Sequence, residues 1–551
     1  MKRLKVFVIN TIILTIVSLL IRSTGMIFDI YLANVIGSEG IGMFSLVMSV
    51  YFLCITFANS GITLAATRLV SEELAVNSNQ GAKIAIRKCI TFSLIFGSLA
   101  SLILFLASPH IVNIFLHGRI SLNVLYIIAI SLPFTSVTMS LSGYFTAVRR
   151  PYKNSSADVI NVITKIIAIL LLIPKFDIND LNQVVILLVL GTTISELVCF
   201  AYTYILYIFD RRKLADTRTS GKNFLSRILK ISMPVAITSY IRSGLSTFKQ
   251  LLIPIQLEKS GLACNNALSA YGMINGMALS ILLFPGLIIN SIASLLIPEF
   301  ARYNVKKDFK KMNSVISTLF SLIIIFSFFI IGFFLMYSDE ISIIAYNDIN
   351  VGMFILILCP LVLLMYLDHI IDAILRGIDK QVKVMYCNIA DLIISVILIY
   401  FLLPISGIVG YLIVIYVSEI LNTSISTYQL YKATHFKFDI INQLIIPCLC
   451  LIMSMVISSF IHIYNSNIIF ELITNAGLFL IIYLFFIGTY IFISKRKNIR
   501  VFWCFFLAPQ VGLEPTTLRL TAECSTDWAI EEYMFIIACE WYYILYFFIF
   551  Q

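Results

Sequence analysis

Charge is scarce in this chain. Asp, Glu, Lys and Arg make up 12% of its 551 residues, against about a quarter in an ordinary soluble domain. The counterpart of that shortage is a 60% apolar composition and a mean hydropathy of +0.97. A soluble globular fold is excluded, since too few polar side chains remain to cover a surface. Paired cysteines are also lacking. The eleven cysteines are scattered singly, and the closest two, Cys448 and Cys450, lie inside one apolar run. They read as small core hydrophobes rather than disulfides or metal ligands. P-loop, GxSxG, HExxH and DxD motifs are absent, so neither an enzyme nor a resident cofactor or metal is expected. The first apolar run, from Val6, has no small-residue cleavage site and is too long for a signal peptide, so it reads as a retained first helix.

Long apolar runs are plentiful. Stretches near 20 residues suit a bilayer core of about 30 Å. Fourteen are expected to span: 7–33, 41–66, 84–107, 121–148, 157–174, 184–209, 227–255, 268–300, 313–336, 351–375, 383–403, 407–430, 441–464 and 468–493. Gly25, Pro133, Pro234, Pro254, Pro285 and Pro360 are candidate kinks. The loops alternate in charge. One set, with the N-terminus, carries 31 of the 39 Lys and Arg residues, while the other carries Arg119, Lys175 and Lys259. That is the positive-inside pattern, and it predicts cytoplasmic ends for the fourteen-span core in a bacterial cell membrane. It also accounts for most of the +10 net charge without nucleic acid as a partner.

The chain repeats itself. Ile21–Asp29 (IRSTGMIFD) returns as Ile241–Lys249 (IRSGLSTFK). Ala157–Pro174 aligns with Cys387–Pro404, and Ser195-Glu196 with Ser418-Glu419. The spacing drifts by only a few residues, so spans 1–6 (residues 1–209) repeat as spans 7–12 (227–430), joined by the basic linker 210–226. Six spans per repeat is an even number, which keeps both halves in one orientation and puts their pseudo-twofold along the membrane normal. Residues 431–495 add spans 13 and 14. Residues 496–551 are atypical: Trp503, Trp528 and Trp541 all fall there, and VGLEPTTLRLTAEC (511–524) is polar and unpartnered, so this tail is expected to lie outside the fold. The expected architecture is an all-α polytopic membrane protein of about fourteen helices in two six-helix lobes plus two.

A charge at mid-bilayer costs about 2.5–3.5 kcal/mol on the gentler scales, so such residues usually face a polar interior. Arg22, Asp29, Arg242 and Lys249 sit at matched places in the two halves, three positive against one negative, which suits an anionic cargo. A purely structural alternative pairs Asp29 with Lys249 and lets both arginines snorkel. Asp368, Asp372 and Arg376 step by four along span 10 beside His369, and read as a salt-bridge ladder at a cytoplasmic gate. Glu196 and Glu419 lie at matched mid-span positions, open either to proton or sodium coupling or to helix packing. Lys165 and Asp391, each alone in its helix, rank lower. The slight pair Asp339-Glu340 does not support a membrane glycosyltransferase.

Three stretches carry a family resemblance: RSTGMIFDIYLANVIGSEGIGMFSLV (22–47), LVSEELAVNSNQGAKIAIRKC (69–89) and GYFTAVRRPYKNSSADVINVITKI (143–166). Over about residues 1–495 the chain resembles the polysaccharide-exporter branch of the multidrug/oligosaccharidyl-lipid/polysaccharide flippase superfamily, with its sporulation members nearest. The resemblance implies fourteen helices in two lobes and movement of an undecaprenyl-pyrophosphate-linked saccharide between leaflets by alternating access. It further implies a lipid II-like peptidoglycan precursor and a role in spore cortex. In the lipid II flippases basic residues of the first helix line the cavity, and Arg22 is the matching position. This chain departs in having Ser23 and Thr24 where an Arg-Asp pair is expected, with the acid delayed to Asp29. The partners expected are a lipid-linked oligosaccharide and membrane lipids, with the chain monomeric. Coupling to the membrane potential, H+ or Na+ is left open. The alternative in the same fold is a cation-coupled multidrug exporter, which would favour an acidic cavity.

Overall fold

A computed structural model describes residues 2–493 except 60, 77, 116–119, 178–179, 213–223, 437, 462 and 465–466. The atypical tail and most of the basic linker therefore lie outside the described residues. Leu14–Tyr490 forms one compact unit, and the membrane-length helices belong to it. In the other unit, Met1–Ile13 with Ile491–Gln551, the described residues are helical.

Among the described residues every regular element is a helix. Inside lipid each backbone N–H and C=O needs a partner within the protein, and a helix supplies it locally. In chain order they are α1 (Lys2–Asn59), α2 (Ile62–Ala75), α3 (Asn79–Phe115), α4 (Leu122–Ala147), α5 (Tyr152–Leu172), α6 (Leu181–Arg212), α7 (Phe224–Lys259), α8 (Cys264–Tyr271), α9 (Leu279–Leu283), α10 (Gly286–Lys306), α11 (Phe309–Tyr346), α12 (Ile349–Leu358), α13 (Val362–Gly377), α14 (Gln381–Thr434), α15 (Ile446–Phe460) and α16 (Ile468–Ile493). A π-helical segment, Gly272–Ala278, joins α8 to α9.

Twelve helical stretches are long and apolar enough to cross a membrane, against the fourteen expected. The difference lies in two long stretches that each count once, Leu19–Ala75 with 57 residues and Gln381–Thr434 with 54. At 1.5 Å per residue each runs for about 80 Å or more, well beyond a hydrocarbon core of about 30 Å. Each is broken by a glycine in a conformation no helix allows: Gly37 (φ 73°, ψ 173°) and Gly407 (φ 54°, ψ −130°). Glycine can take such angles because it has no Cβ to clash. Pro285 sits at the break between α9 and α10 and Pro360 in a 3₁₀ turn. Gly25, Pro133, Pro234 and Pro254 lie within helices that continue through them.

The repeat is visible in backbone detail. Arg149, just past α4, and Asp379, just past α13, are non-glycine residues in the left-handed region, at φ 58° and 64°. The same hydrogen bonds close both turns. The Arg150 N–H donates to the Phe145 carbonyl at 2.9 Å and the Lys380 N–H to the Leu375 carbonyl at 2.8 Å. Breaks also recur before α2, at left-handed Gly61, and before α10, at Pro285.

The two halves meet along a close seam. Ser38 and Ser269 share a hydrogen bond of 2.6 Å, and Gly42 lies against Leu268 and Gly272, so tightly that a Cβ on either glycine would meet the opposing backbone. Both stretches advance in the same direction along this contact, as an even-numbered repeat requires. Further along, the Thr247 hydroxyl donates to the Ser49 carbonyl at 3.0 Å and the Tyr240 hydroxyl to the Phe57 carbonyl at 3.3 Å. At the basic-loop end Arg227 of α7 pairs with Glu72 and approaches the buried Glu73, both on α2.

Candidate functional site

Helix α1 has two exposed sides. Leu20, Ile27 and Tyr31 form an apolar one. Arg22 and Asp29, seven residues apart and therefore nearly in line, lie roughly 140–180° around the helix from it and are also exposed. An apolar strip suits lipid. Two exposed charges on the opposite side suit a polar cleft, because lipid exposure would be unfavourable there.

Helix α5 supplies the facing residues. Lys165 Nζ lies 4.0 Å from Asp29 Oδ1 and 5.9 Å from the centre of the Phe44 ring. Asp158 lies within electrostatic range of Arg22. Behind them Glu196 of α6 is half-buried and accepts hydrogen bonds from Asn161 Nδ2 at 3.1 Å and Thr135 Oγ1 at 3.2 Å. Tyr51 continues the network to Ser131 at 2.8 Å. The first half thus carries a polar cluster between α1, α4, α5 and α6.

The second half builds its counterpart with reversed signs. Lys249 of α7 is half-buried and lies in the field of Asp391 and Glu419, both on α14. Asp391 Oδ1 accepts from the Ser418 hydroxyl at 2.6 Å, as Glu196 accepts from Asn161 in the first half. Acid on α1 faces base on α5; base on α7 faces acid on α14. Asp29 therefore pairs with Lys165 in its own half, and the pairing of Asp29 with Lys249 across the halves does not occur. Lys165 and Asp391, ranked low from sequence, are the partners that reasoning from matched positions missed. The signal available was the alignment of Asn161 with Asp391, which placed a polar residue on the same helix face in both halves.

The span-10 ladder forms in part. Arg376 Nη2 lies 3.1 Å from Asp372 Oδ2. Asp368 does not join it; its Oδ2 accepts from Asn422 Nδ2 at 2.9 Å instead. With the partners included, the charge balance changes. Asp29, Asp158, Glu196, Asp368, Asp372, Asp391 and Glu419 outnumber Arg22, Lys165, Arg242, Lys249 and Arg376, so the basic excess of the first four residues does not extend to the wider cluster. Among the described residues Lys249, like Arg22 and Arg242, makes no ion pair within 4.0 Å, though Lys249 lies in the field of Asp391 and Glu419 and Arg22 in that of Asp158. Arg22 and Arg242 are exposed. Among the described residues no three His, Cys, Asp or Glu side chains are grouped to hold a metal ion.

These features define a class: a multi-pass, all-α membrane protein with polar clusters between the helices of repeated bundles. The chain belongs to the polysaccharide biosynthesis protein family, whose pattern it matches over residues 7–304. It is 20% identical over 424 residues to stage V sporulation protein B of Bacillus subtilis (strain 168), covering 76% of this chain and 82% of that protein. It is 24% identical over 299 residues to sporulation protein YkvU of the same organism, covering 54% and 65%. In fold it resembles the lipid II flippase MurJ in an inward closed conformation, with a TM-score of 0.67 at 15% identity over 88% of this chain and 100% of that one. It also resembles an inward-facing multidrug resistance transporter of the MATE family, with a TM-score of 0.56 at 12% identity over 75% and 95%. The likeness to both structures is one of fold.

Proposed function

We propose that the chain is a flippase that moves an undecaprenyl-pyrophosphate-linked saccharide, of the lipid II kind, from the inner to the outer leaflet by alternating access. One observation carries this reading: Arg22 and Arg242 occupy matched places near the middle of long apolar helices, exposed and without an ion-paired partner among the described residues. An arginine cannot shed its charge in a protein, and its planar fork suits phosphate oxygens. Two such groups in a cleft of low dielectric would hold a diphosphate and release it when the surroundings rewet. Lys249 assists, while Asp29, held near Lys165, tunes the field. In this reading α1 and α14 each cross twice, giving fourteen crossings in lobes 1–209 and 227–430, with the basic loops and both ends of the core cytoplasmic and the protein monomeric. The sporulation proteins among the relatives support a role in sporulation, which in this reading is the supply of spore-cortex peptidoglycan.

A second reading rests on the carboxylates. Asp368, Asp372, Asp391 and Glu419 lie in one half with Lys249 and Arg376 among them, a set that suits H+ or Na+ coupling and, in a drug exporter, a cationic cargo. Both readings are tested in proteoliposomes holding the purified chain. One arm follows a fluorescent lipid-linked saccharide becoming accessible at the far leaflet, the other the uptake of a cationic dye. Movement of the saccharide without the dye supports the flippase; the reverse overturns it.

A further inference from the structure

A cavity of about 470 Å3 opens where α2, α4 and α6 end beside the α4–α5 turn, and its walls include Ser71, Tyr144, Arg149, Arg150 and Asp210. None of these residues is assigned to the cargo, so a ligand held here is independent of the transport reading. Asp210 is 3% exposed. Its Oδ1 takes two cations, Arg150 Nη1 at 2.5 Å and Lys153 Nζ at 2.7 Å. Its Oδ2 is buried and has no hydrogen-bond partner among the described residues. Lys153 is held in place from below by the Phe145 ring, 5.1 Å from the ring centre. Tyr144, packed edge-on against Phe145 and Tyr207, lines the same cavity, and its hydroxyl has no hydrogen bond among the described residues.

Arg149 completes the site. It is exposed, makes no ion pair among the described residues and sits at φ 58°. At that place past a helix end glycine is the usual residue, because a Cβ is unfavourable in the left-handed region. The turn recurs in the second half, but with Asp379 at the same point. The backbone belongs to the repeat; the guanidinium belongs to the first half alone.

We infer that this cavity binds a phosphate ester whose esterifying group carries a free hydroxyl, such as a glycerophosphate. The guanidinium groups of Arg149 and Arg150 match phosphate oxygens. The unpartnered Oδ2 of Asp210 needs a donor, and a buried acceptor left without one is unfavourable. Sulfate offers no donor and would face the carboxylate with like charge. A metal cation would face two guanidinium groups. A phosphate ester with a neighbouring hydroxyl meets both demands at once. Such a group is found on a phosphatidylglycerol headgroup and on soluble glycerol phosphate alike.

The test uses the full chain in nanodiscs. One arm contains phosphatidylglycerol among phosphatidylcholine and reads, by native mass spectrometry, whether phosphatidylglycerol stays with the protein. The other uses phosphatidylcholine alone and titrates glycerol 1-phosphate by calorimetry. Saturable binding in the first arm, the second or both identifies the source. The Arg149→Gly variant separates binding from folding, since glycine fits the turn better than arginine. It should melt no lower than wild type yet bind roughly tenfold or more weakly, the effect of about one charge-assisted hydrogen bond. Methyl phosphate, which lacks the hydroxyl, should bind wild type more weakly than glycerol 1-phosphate. Binding in neither arm, unchanged binding by Arg149→Gly, or equal binding of methyl phosphate would overturn the assignment.

Discussion

Replacing Gly42 by alanine tests the seam between the halves. The new Cβ would lie 3.3 Å from the Gly272 backbone nitrogen and overlap the Leu268 carbonyl oxygen; a Cβ at Gly272 would in turn lie 2.9 Å from the Gly42 nitrogen. These obstacles are backbone atoms, so no rotamer change relieves them. The two helices must part by roughly 0.5–1 Å, and overpacking of this kind costs about 1–3 kcal/mol. The Ser38–Ser269 hydrogen bond of 2.6 Å would stretch with them and forfeit about 1 kcal/mol more. Gly25→Ala is the control, because nothing lies within 4 Å of its Cβ position and alanine is favoured over glycine in a helix by about 0.5–1 kcal/mol. Thermal unfolding of the purified chain in detergent should therefore place Gly42→Ala below wild type and Gly25→Ala level with it or above. If both variants melted together, the close approach of the halves at Gly42 and Gly272 would be refuted.

Two further outcomes concern the charge network. Because Asp29 faces Lys165, a double-mutant cycle on transport of Asp29→Asn with Lys165→Met should show coupling, whereas Asp29→Asn with Lys249→Met should be additive; the opposite pattern would restore the pairing across halves. Asp372→Asn and Arg376→Gln should couple by about 0.5 kcal/mol or more in transport rate if their 3.1 Å contact forms and breaks with the cycle, and strict additivity would remove it as a gate.

The parts of this fold legible in sequence are those set by burial and spacing. Apolar length marked the membrane helices, and Arg22 with Arg242 revealed the repeat, because a charge inside an apolar run stands out against its neighbours. What stayed hidden depends on tertiary contact. The left-handed turns at Arg149 and Asp379 have no glycine to announce them. Gly37 and Gly407 break their helices, and neither stands out in sequence from the glycines that lie within continuous ones. The partner of Asp29 is not legible in sequence: the alternative that pairs it with Lys249 takes matched positions to face each other, whereas α1 turns Asp29 toward α5 of its own half. Glu196 could be read two ways from sequence. Its bonds to Asn161 and Thr135 tie three helices together, a packing role that leaves ion coupling open to experiment. The cavity at Asp210 had no sequence signature at all, because Ser71, Tyr144, Arg150 and Asp210 are brought together only by folding.

The most direct measurement is the flipping rate of a lipid-linked saccharide in proteoliposomes for Arg22→Ala, Arg242→Ala and the two corresponding lysine variants, at matched amounts of inserted protein. The account predicts that each alanine variant loses transport by about tenfold or more, in line with the loss of charge-assisted hydrogen bonds to phosphate. Each lysine variant should recover only part of it, since lysine keeps the charge and lacks the fork. Wild-type rates from both alanine variants would contradict the account, and Arg22 and Arg242 would then be charges that merely reach toward the membrane surface.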